Sequence, residues 1–167
     1  RMSSVQKLPP DVVRMRRAGA RLAAVQALYQ LELTERGVSA VIREFMEDRL
    51  GLDDDGNPVE DADPDLFKSI VSGVVERQEL VDKAIKNRLA KNWRLERIDS
   101  TSRAILRCAT LELATRADLS NAIIIEEYVG IAHAFFDGDE PKFVNGVLDK
   151  VARDVRPDGV PVGFLDT

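Results

Sequence analysis

One group of side chains in this sequence has the type and spacing needed to bind phosphates. Arg14, Arg17 and Arg21 are three and four residues apart, so on a helix their guanidinium groups would form one row. Such a row can follow a phosphate backbone, and each phosphate neutralised adds about one unit to the salt dependence of binding. Arg16 would point nearly opposite, so we expect it to matter less. The alternative interpretation is a solvated helix end.

A second group surrounds the short turn at 137–140. Phe135 and Phe143 flank this turn, and Lys142 lies beside Phe143. Aromatic side chains commonly hold single-stranded RNA by stacking on its bases, which contributes about 1–3 kcal/mol per base, and Lys142 could contact a phosphate. Asp139 would repel phosphate, so Asp139→Asn is expected to strengthen RNA affinity or leave it unchanged, unless the carboxylate accepts from a base. The alternative places both rings in the core.

Three more residues are candidates for contacts with another molecule. Tyr29 is either a residue at the edge of the core with an exposed hydroxyl or part of a binding surface, and we group it with the RNA-binding candidates. Glu76 and Glu112 are candidate contacts to a protein partner. Acidic residues on helix surfaces are common, so the ordinary alternative is a solvated carboxylate.

The sequence does not favour an enzyme or a metalloprotein. His133 has no nearby nucleophile, and Cys108 is expected to be a core thiol. The acidic stretch at 53–65 could suggest an EF-hand calcium loop. If Gly56 took the sixth position of such a loop, Gly51 would be first and Ala62 twelfth, and neither residue has a side chain that can bind calcium. No nucleotide-binding or nucleophile motif is present. We therefore predict no catalytic residue, no metal and no cofactor.

The charge of the chain is distributed unevenly. The net charge is −5 over 167 residues, but residues 1–21 contain six lysines or arginines against one aspartate, so this arm carries +5 and the remainder −10. A basic arm on an acidic body favours a local polyanion site over general nucleic-acid coating. The lone cysteine cannot form an internal disulfide, and no apolar run reaches the ~18 residues of a membrane span. These features predict a cytoplasmic protein.

Apolar residues recur at helical spacing along nearly the whole chain, which predicts an all-α fold of about seven helices in two small helical subdomains. The expected division is a flexible basic N-terminus at 1–11, subdomains at 12–79 and 80–156, and a loose tail at 157–167. Residues 53–65 read as an acidic loop. The predicted helices cover 12–35, 38–50, 64–74, 80–91, a segment capped within 99–102 that includes 105–113, 122–136 and 141–155.

The last predicted helix contains an unusual glycine. Val144, Val147, Leu148 and Val151 form one apolar face, whereas Gly146 lies in the interior of the helix, where glycine costs about 1 kcal/mol relative to alanine. We expect Gly146 to permit a close crossing with another helix.

Two strings of residues carry a family resemblance. The string KFVNGVLD at 142–149 and the string AVQALY at 24–29 together resemble the NusB family of bacterial transcription antitermination factors. Similar matches run from 105 to 113 and from 125 to 132, so the resemblance covers about residues 14–156. It implies an all-helical fold in two small bundles and no catalysis.

The resemblance also implies partners. NusB-like proteins pair with NusE, a ribosomal small-subunit protein, and the pair binds the boxA sequence of nascent ribosomal RNA leader transcripts. With other Nus factors, the complex helps RNA polymerase to pass terminators. Carried over to this chain, the arginine-rich start of the first helix, Phe135 and Phe143 are expected to face the RNA.

Two alternatives to this function remain at the level of the sequence. NusB-like domains also occur fused to ribosomal RNA cytosine methyltransferases, but the residues after 156 are too few for a sheet that binds a methyl donor. The other alternative is a helical RNA-binding accessory or interaction module without an antitermination role, which forms a homodimer through Gly146 and the apolar edge of its helix.

Overall fold

A computed structural model describes residues 7–50 and 62–164 of the chain, and within these ranges it contains seven α-helices and no strand. The prediction of an all-α fold is therefore confirmed. The predicted acidic loop, apart from its last residues, and the start of the basic N-terminus lie outside the described residues. The helices are α1 (Pro10–Leu33), α2 (Val38–Glu44), α3 (Pro64–Glu76), α4 (Gln78–Lys86), α5 (Ser100–Thr115), α6 (Asn121–Phe135) and α7 (Glu140–Val155).

The helix starts follow from local capping chemistry. The side chain of Asp99 accepts a hydrogen bond from the backbone N–H of Ser102 at 2.8 Å, and Ser120 accepts one from Ile123 at 3.2 Å. These caps satisfy N–H groups that have no partner inside the helix. Pro10 and Pro141 lie in the first turns of α1 and α7, where proline has no hydrogen bond to lose. The cap predicted within 99–102 is confirmed at Asp99.

Two predicted helices end earlier than expected. The segment at 38–50 begins as α2 but continues as a π-helical turn at Phe45–Arg49, in which the Leu50 N–H donates to the Phe45 carbonyl at 2.9 Å. The helix predicted at 80–91 stops at Lys86, and a 3₁₀ turn follows at Leu95–Arg97. Directly after Lys86 the hydrogen bonds shorten to turns of the i to i−3 type, since the Arg88 N–H donates to the Ile85 carbonyl at 2.9 Å and the Leu89 N–H to the Lys86 carbonyl at 3.3 Å.

α5 is the central helix of the molecule. It packs against α1, α3, α4, α6 and α7, and twelve of its residues are buried. Its residues are small or apolar around most of the circumference, which is the pattern of a helix inside a core. Cys108 lies in this core, as predicted. The two subdomains expected on either side of residue 79 share one hydrophobic core through α5.

The close helix crossing occurs at a different glycine from the one that the sequence suggests. A Cβ atom on Gly73 of α3 would lie 2.6 Å from Cδ2 of Leu111 on α5, so any larger residue at this position would force the Leu111 side chain to shift. A Cβ on Gly146 would meet no heavy atom within 4 Å. The expectation that Gly146 permits a helix crossing is therefore wrong.

The predicted loose tail is held against the body as far as residue 164. The Val162 N–H donates to the Val155 carbonyl at 2.9 Å, and the buried Arg156 donates to the carbonyls of Leu119 and Gly159 at 2.6 and 3.1 Å. Gly159 has a φ of 78°, a conformation that favours glycine. This part of the tail is thus ordered by contacts that join the end of α7 to the start of α6.

Candidate nucleic-acid-binding surface

Of the three arginines in the row at the start of α1, Arg14 and Arg17 are at least partly exposed and Arg21 is buried. Arg14 is exposed and Arg17 is half-buried. Arg17 lies close enough to Asp118 for its charge to contribute to the lowered pKa of that carboxyl, although the hydrogen bond from Arg116 is the largest cause. The Arg16 carbonyl accepts from the backbone N–H of Asp63 at 2.9 Å, which joins α1 to the start of α3.

Arg21 does not belong to the exposed row. Its side chain is only 2% exposed, and its Nε and Nη2 atoms donate to the two carboxylate oxygens of Glu112 at 2.8 and 3.0 Å. Nη1 also donates to Glu127 at 3.3 Å. Because these carboxylates occupy the guanidinium, the expectation that Arg21 contacts RNA is corrected: its role in this structure is to join α1 to α5 and α6.

Glu112 is equally buried, at 1% exposed, so the expectation that it is a surface contact to a partner protein is also wrong. It accepts hydrogen bonds from Arg21 and from the hydroxyl of the buried Tyr128. Burial raises the pKa of Tyr128, and the charge of Glu112 raises it further. Burial alone would lower the pKa of Arg21, but the hydrogen bond and charge of Glu112 raise it above its ordinary value. The cluster therefore keeps Arg21 charged and Tyr128 neutral.

Tyr29 and Phe135 come together in a groove between α1, α5 and α6. Both rings are exposed, by 40% and 46%, and they line a cavity of about 390 Å³. The remaining lining residues are Val25, Gln26, Gln30, Arg49 and Thr101. Two exposed aromatic rings beside polar side chains suit stacking and hydrogen bonding to an unpaired base. The predicted exposure of Phe135 is confirmed, whereas its contact with RNA stays a prediction.

Arg49 is a member of this groove that the sequence reasoning missed. The π-helical turn places its guanidinium over the ring of Phe45, 4.6 Å from the centroid, and Phe45 itself stacks on Phe67 at 5.5 Å. Short π-helical turns are frequent at functional sites. The signal in the sequence was weak, because Arg49 lay within a segment that reads as an ordinary α-helix.

The start of α7 forms a second aromatic surface. Lys142 and Asp139 are exposed, whereas Phe143 is half-buried. The ring of Phe143 packs against Trp93, with centroids 5.6 Å apart and planes inclined by 32°. Sequence reasoning also missed Trp93, which lies just beyond the end of the helix predicted at 80–91. Its one available signal was that it is the only tryptophan of the chain.

The last predicted contact residue is Glu76, and metal binding and membrane spans can be checked against the same structure. Glu76 is exposed at the end of α3, where it remains a candidate partner contact. Within the described ranges, no group of His, Cys, Asp and Glu side chains is arranged to hold a metal ion. None of the helices in these ranges has the length and apolar content needed to span a bilayer.

Comparison with known proteins gives a consistent set of similarities. The model of the NusB family matches residues 18–153. The transcription antitermination protein NusB of Hyphomonas neptunium is 60% identical over 151 residues, which are 90% of this chain and 98% of the relative. The corresponding protein of Caulobacter vibrioides is 50% identical over 140 residues, covering 84% of this chain and 94% of the relative.

Solved structures share the fold. A structure of T. maritima NusB matches with a TM-score of 0.70 at 28% sequence identity, covering 89% of this chain and 94% of that one. A chain in the crystal structure of antitermination factors NusB and NusE in complex with double-stranded RNA matches with a TM-score of 0.69 at 24% identity, covering 84% of this chain and 98% of that one. The second similarity concerns the fold alone.

Proposed function

Because this chain belongs to the NusB family, we propose that it acts as an RNA-binding transcription antitermination factor. The family consists of transcription factors and not of enzymes. We propose that the protein pairs with NusE and binds boxA RNA of ribosomal RNA leader transcripts, and that it reaches RNA polymerase indirectly, with other Nus factors. A chain of this fold has been solved with NusE and double-stranded RNA, so the fold is compatible with both partners. Binding to nascent transcripts would place it in the cytoplasm.

One observation carries this proposal: α1 presents cations near its start and an exposed aromatic ring towards its end. Arg14 and Tyr29 are fifteen residues apart on this helix, which corresponds to about 22 Å at 1.5 Å per residue. Phe135 and Arg49 lie beside Tyr29 in the groove. A strand that ran along α1 would therefore meet phosphate-binding groups first and stacking groups afterwards.

The roles of the side chains follow from their chemistry. Arg14, Arg17 and Arg49 would neutralise phosphates, and Tyr29 and Phe135 would stack on bases. Lys142 at the start of α7 would contact a further phosphate. Glu76 is exposed at the end of α3, and we propose it as a contact to NusE.

Affinity for a labelled boxA RNA and for a scrambled RNA of equal length, measured over a salt series with and without NusE, tests the proposal. We expect Arg14→Ala and Arg17→Ala to weaken binding to both RNAs and to reduce the salt slope by about one unit each. Tyr29→Ala and Phe135→Ala should lose about 1–3 kcal/mol and leave the salt slope unchanged.

Arg77→Ala is the matched control, because Arg77 is an exposed arginine at the junction of α3 and α4. Its substitution should leave RNA affinity unchanged. Equal affinity for boxA and scrambled RNA, together with no gain from NusE, would contradict the proposed function.

A further inference from the structure

Trp93 and Phe143 form an aromatic surface whose two residues do not line the groove that contains Tyr29 and Phe135. Trp93 is the only tryptophan of the chain and is 55% exposed, although its ring packs on Phe143. Tryptophan buries more apolar area than almost any other side chain when it packs into a core. Here more than half of it remains open to solvent, with one aromatic ring beneath it.

The segment that carries Trp93 is held firmly in place. The Trp93 N–H donates to the Ala90 carbonyl at 2.8 Å, and the buried Leu95 anchors the following 3₁₀ turn. Arg103 of α5 donates to the carbonyls of Leu95 and Glu96 at 3.1 and 3.4 Å, and also to that of Ile98. A ring presented by an anchored segment loses little conformational entropy when it binds a ligand.

Three cationic residues adjoin the two rings in the chain. Lys91 and Arg94 flank Trp93 in the sequence, Lys142 precedes Phe143, and all three are exposed. The nearby Glu96 is 3.7 Å from Lys86, so part of its charge is balanced within the protein. An aromatic face with several cations beside it is the arrangement that binds an unpaired nucleotide, because the ring stacks on the base and the cations hold the flanking phosphates.

We propose that Trp93, supported from below by Phe143, is a stacking platform for an unpaired base of RNA, and that Lys91, Arg94 and Lys142 bind the adjoining phosphates. This inference rests on the proposed function and extends it. The sequence assigned base stacking to Phe143, whereas the geometry makes Phe143 the support and Trp93 the contact surface.

Because Trp93 is the only tryptophan, its intrinsic fluorescence reports directly on this site in the unmodified protein. We expect boxA RNA to quench the fluorescence and to saturate at the same concentration as binding followed by the anisotropy of a labelled RNA. Trp93→Leu keeps an apolar cover on Phe143 but cannot stack on a base, so its affinity should fall about 5- to 100-fold. Trp93→Phe should recover most of the affinity, and a thermal melt should show that both variants are folded.

The outcomes separate this inference from the function on which it rests. If labelled RNA binds but the fluorescence of Trp93 does not change and Trp93→Leu binds normally, the platform is absent and the proposed function still stands. If NusE alone changes the fluorescence and RNA adds no further change, Trp93 belongs to a protein interface and the inference is wrong. If the unmodified protein binds no RNA with or without NusE, both fail.

Discussion

Arg21 of α1 and Glu112 of α5 form a buried ion pair in which two nitrogens of the guanidinium lie 2.8 and 3.0 Å from the two carboxylate oxygens. The hydroxyl of Tyr128 on α6 donates to the same carboxylate. Three helices therefore meet at one set of buried polar side chains. Within one helical row, Arg14 and Arg17 remain available to a ligand, and Arg21 stabilises the fold.

Arg21→Ala should destabilise the protein, whereas Arg14→Ala should not. Removal of Arg21 leaves the buried Glu112 without its main partner, and loss of one member of a buried pair costs about 3–5 kcal/mol. The exposed Arg14 should change the free energy of unfolding by less than about 0.5 kcal/mol. Urea unfolding measures both, and equal stabilities would contradict the structural role of Arg21.

A second variant separates the loss of a partner from the loss of packing. When Arg21→Met is combined with Glu112→Leu and Tyr128→Phe, none of these three positions keeps a buried charge or hydroxyl that has lost its partner. Apolar replacement of a whole buried ion pair is often neutral or stabilising. We therefore expect the triple variant to unfold at a higher urea concentration than Arg21→Ala alone.

Acid should weaken two surface ion pairs. The hydrogen bond from Arg116 lowers the pKa of Asp118 from 3.8 to about 2, and that from Arg88 lowers the pKa of Asp154. When folding lowers the pKa of a carboxyl, its ion pair stabilises the folded protein fully at pH values above the unfolded pKa. This stabilisation is lost as the pH falls through the pKa of the folded protein. The stabilisation from the Asp118 ion pair is therefore lost as the pH falls from about 4 to about 2.

Asp118→Asn should remove this part of the acid sensitivity. The Asp118 side chain is more than half exposed, so solvent screening limits its contribution to about 0–1 kcal/mol. The measurement is the loss of unfolding free energy between pH 5 and pH 2.5, which should be smaller in the variant. Asp149→Asn is the control, because Asp149 is exposed on α7 and has no ion pair within the described residues. An equal effect of both substitutions would count against the ion pair.

Two of the helical glycines, Gly73 and Gly146, should respond oppositely to alanine. Gly146→Ala adds a methyl group in open space on a helix and should raise stability by about 0.5–1 kcal/mol. Gly73→Ala places a methyl group 2.6 Å from the side chain of Leu111, and overpacking costs about 1–3 kcal/mol. Chemical denaturation of the two variants should show a gain for the first and a loss for the second. A gain at Gly73 would mean that Leu111 can move aside.

Asp139→Asn should preserve RNA binding or improve it. Asp139 is exposed directly before α7, and its side chain makes no capping hydrogen bond, so it contributes little to folding. An exposed charge near a phosphate costs about 1 kcal/mol in water, so RNA affinity should rise at most about fivefold. Measured without NusE, Glu76→Gln removes an exposed acid outside the proposed RNA contacts and should have no effect on RNA affinity. A large loss with Asp139→Asn would instead mean that the carboxylate accepts from a base.

Local patterns predicted the helices well because they depend on residues close in the chain. The spacing of apolar residues identified α5 and α6, and the cap predicted within 99–102 is the one that Asp99 forms at the start of α5. The predicted ends of two helices were wrong, because α2 ends at Glu44 and not at 50, and α4 ends at Lys86 and not at 91. Just beyond these two points the chain makes contacts that no short window of sequence contains, since Phe45 stacks on Phe67 and Arg88 donates to Asp154.

The sequence by itself determined the all-α class, the arginine row at the start of the first helix, and the strings at 24–29 and 142–149 that indicate the family. Only the tertiary structure decided that Arg21 is a core residue, that Gly73 and not Gly146 lies at the close crossing, and that Trp93 covers Phe143. The reason is the range of the interactions. Helical periodicity relates residues three or four positions apart, whereas Arg21 and Glu112 are 91 positions apart and meet only because α1 packs on α5.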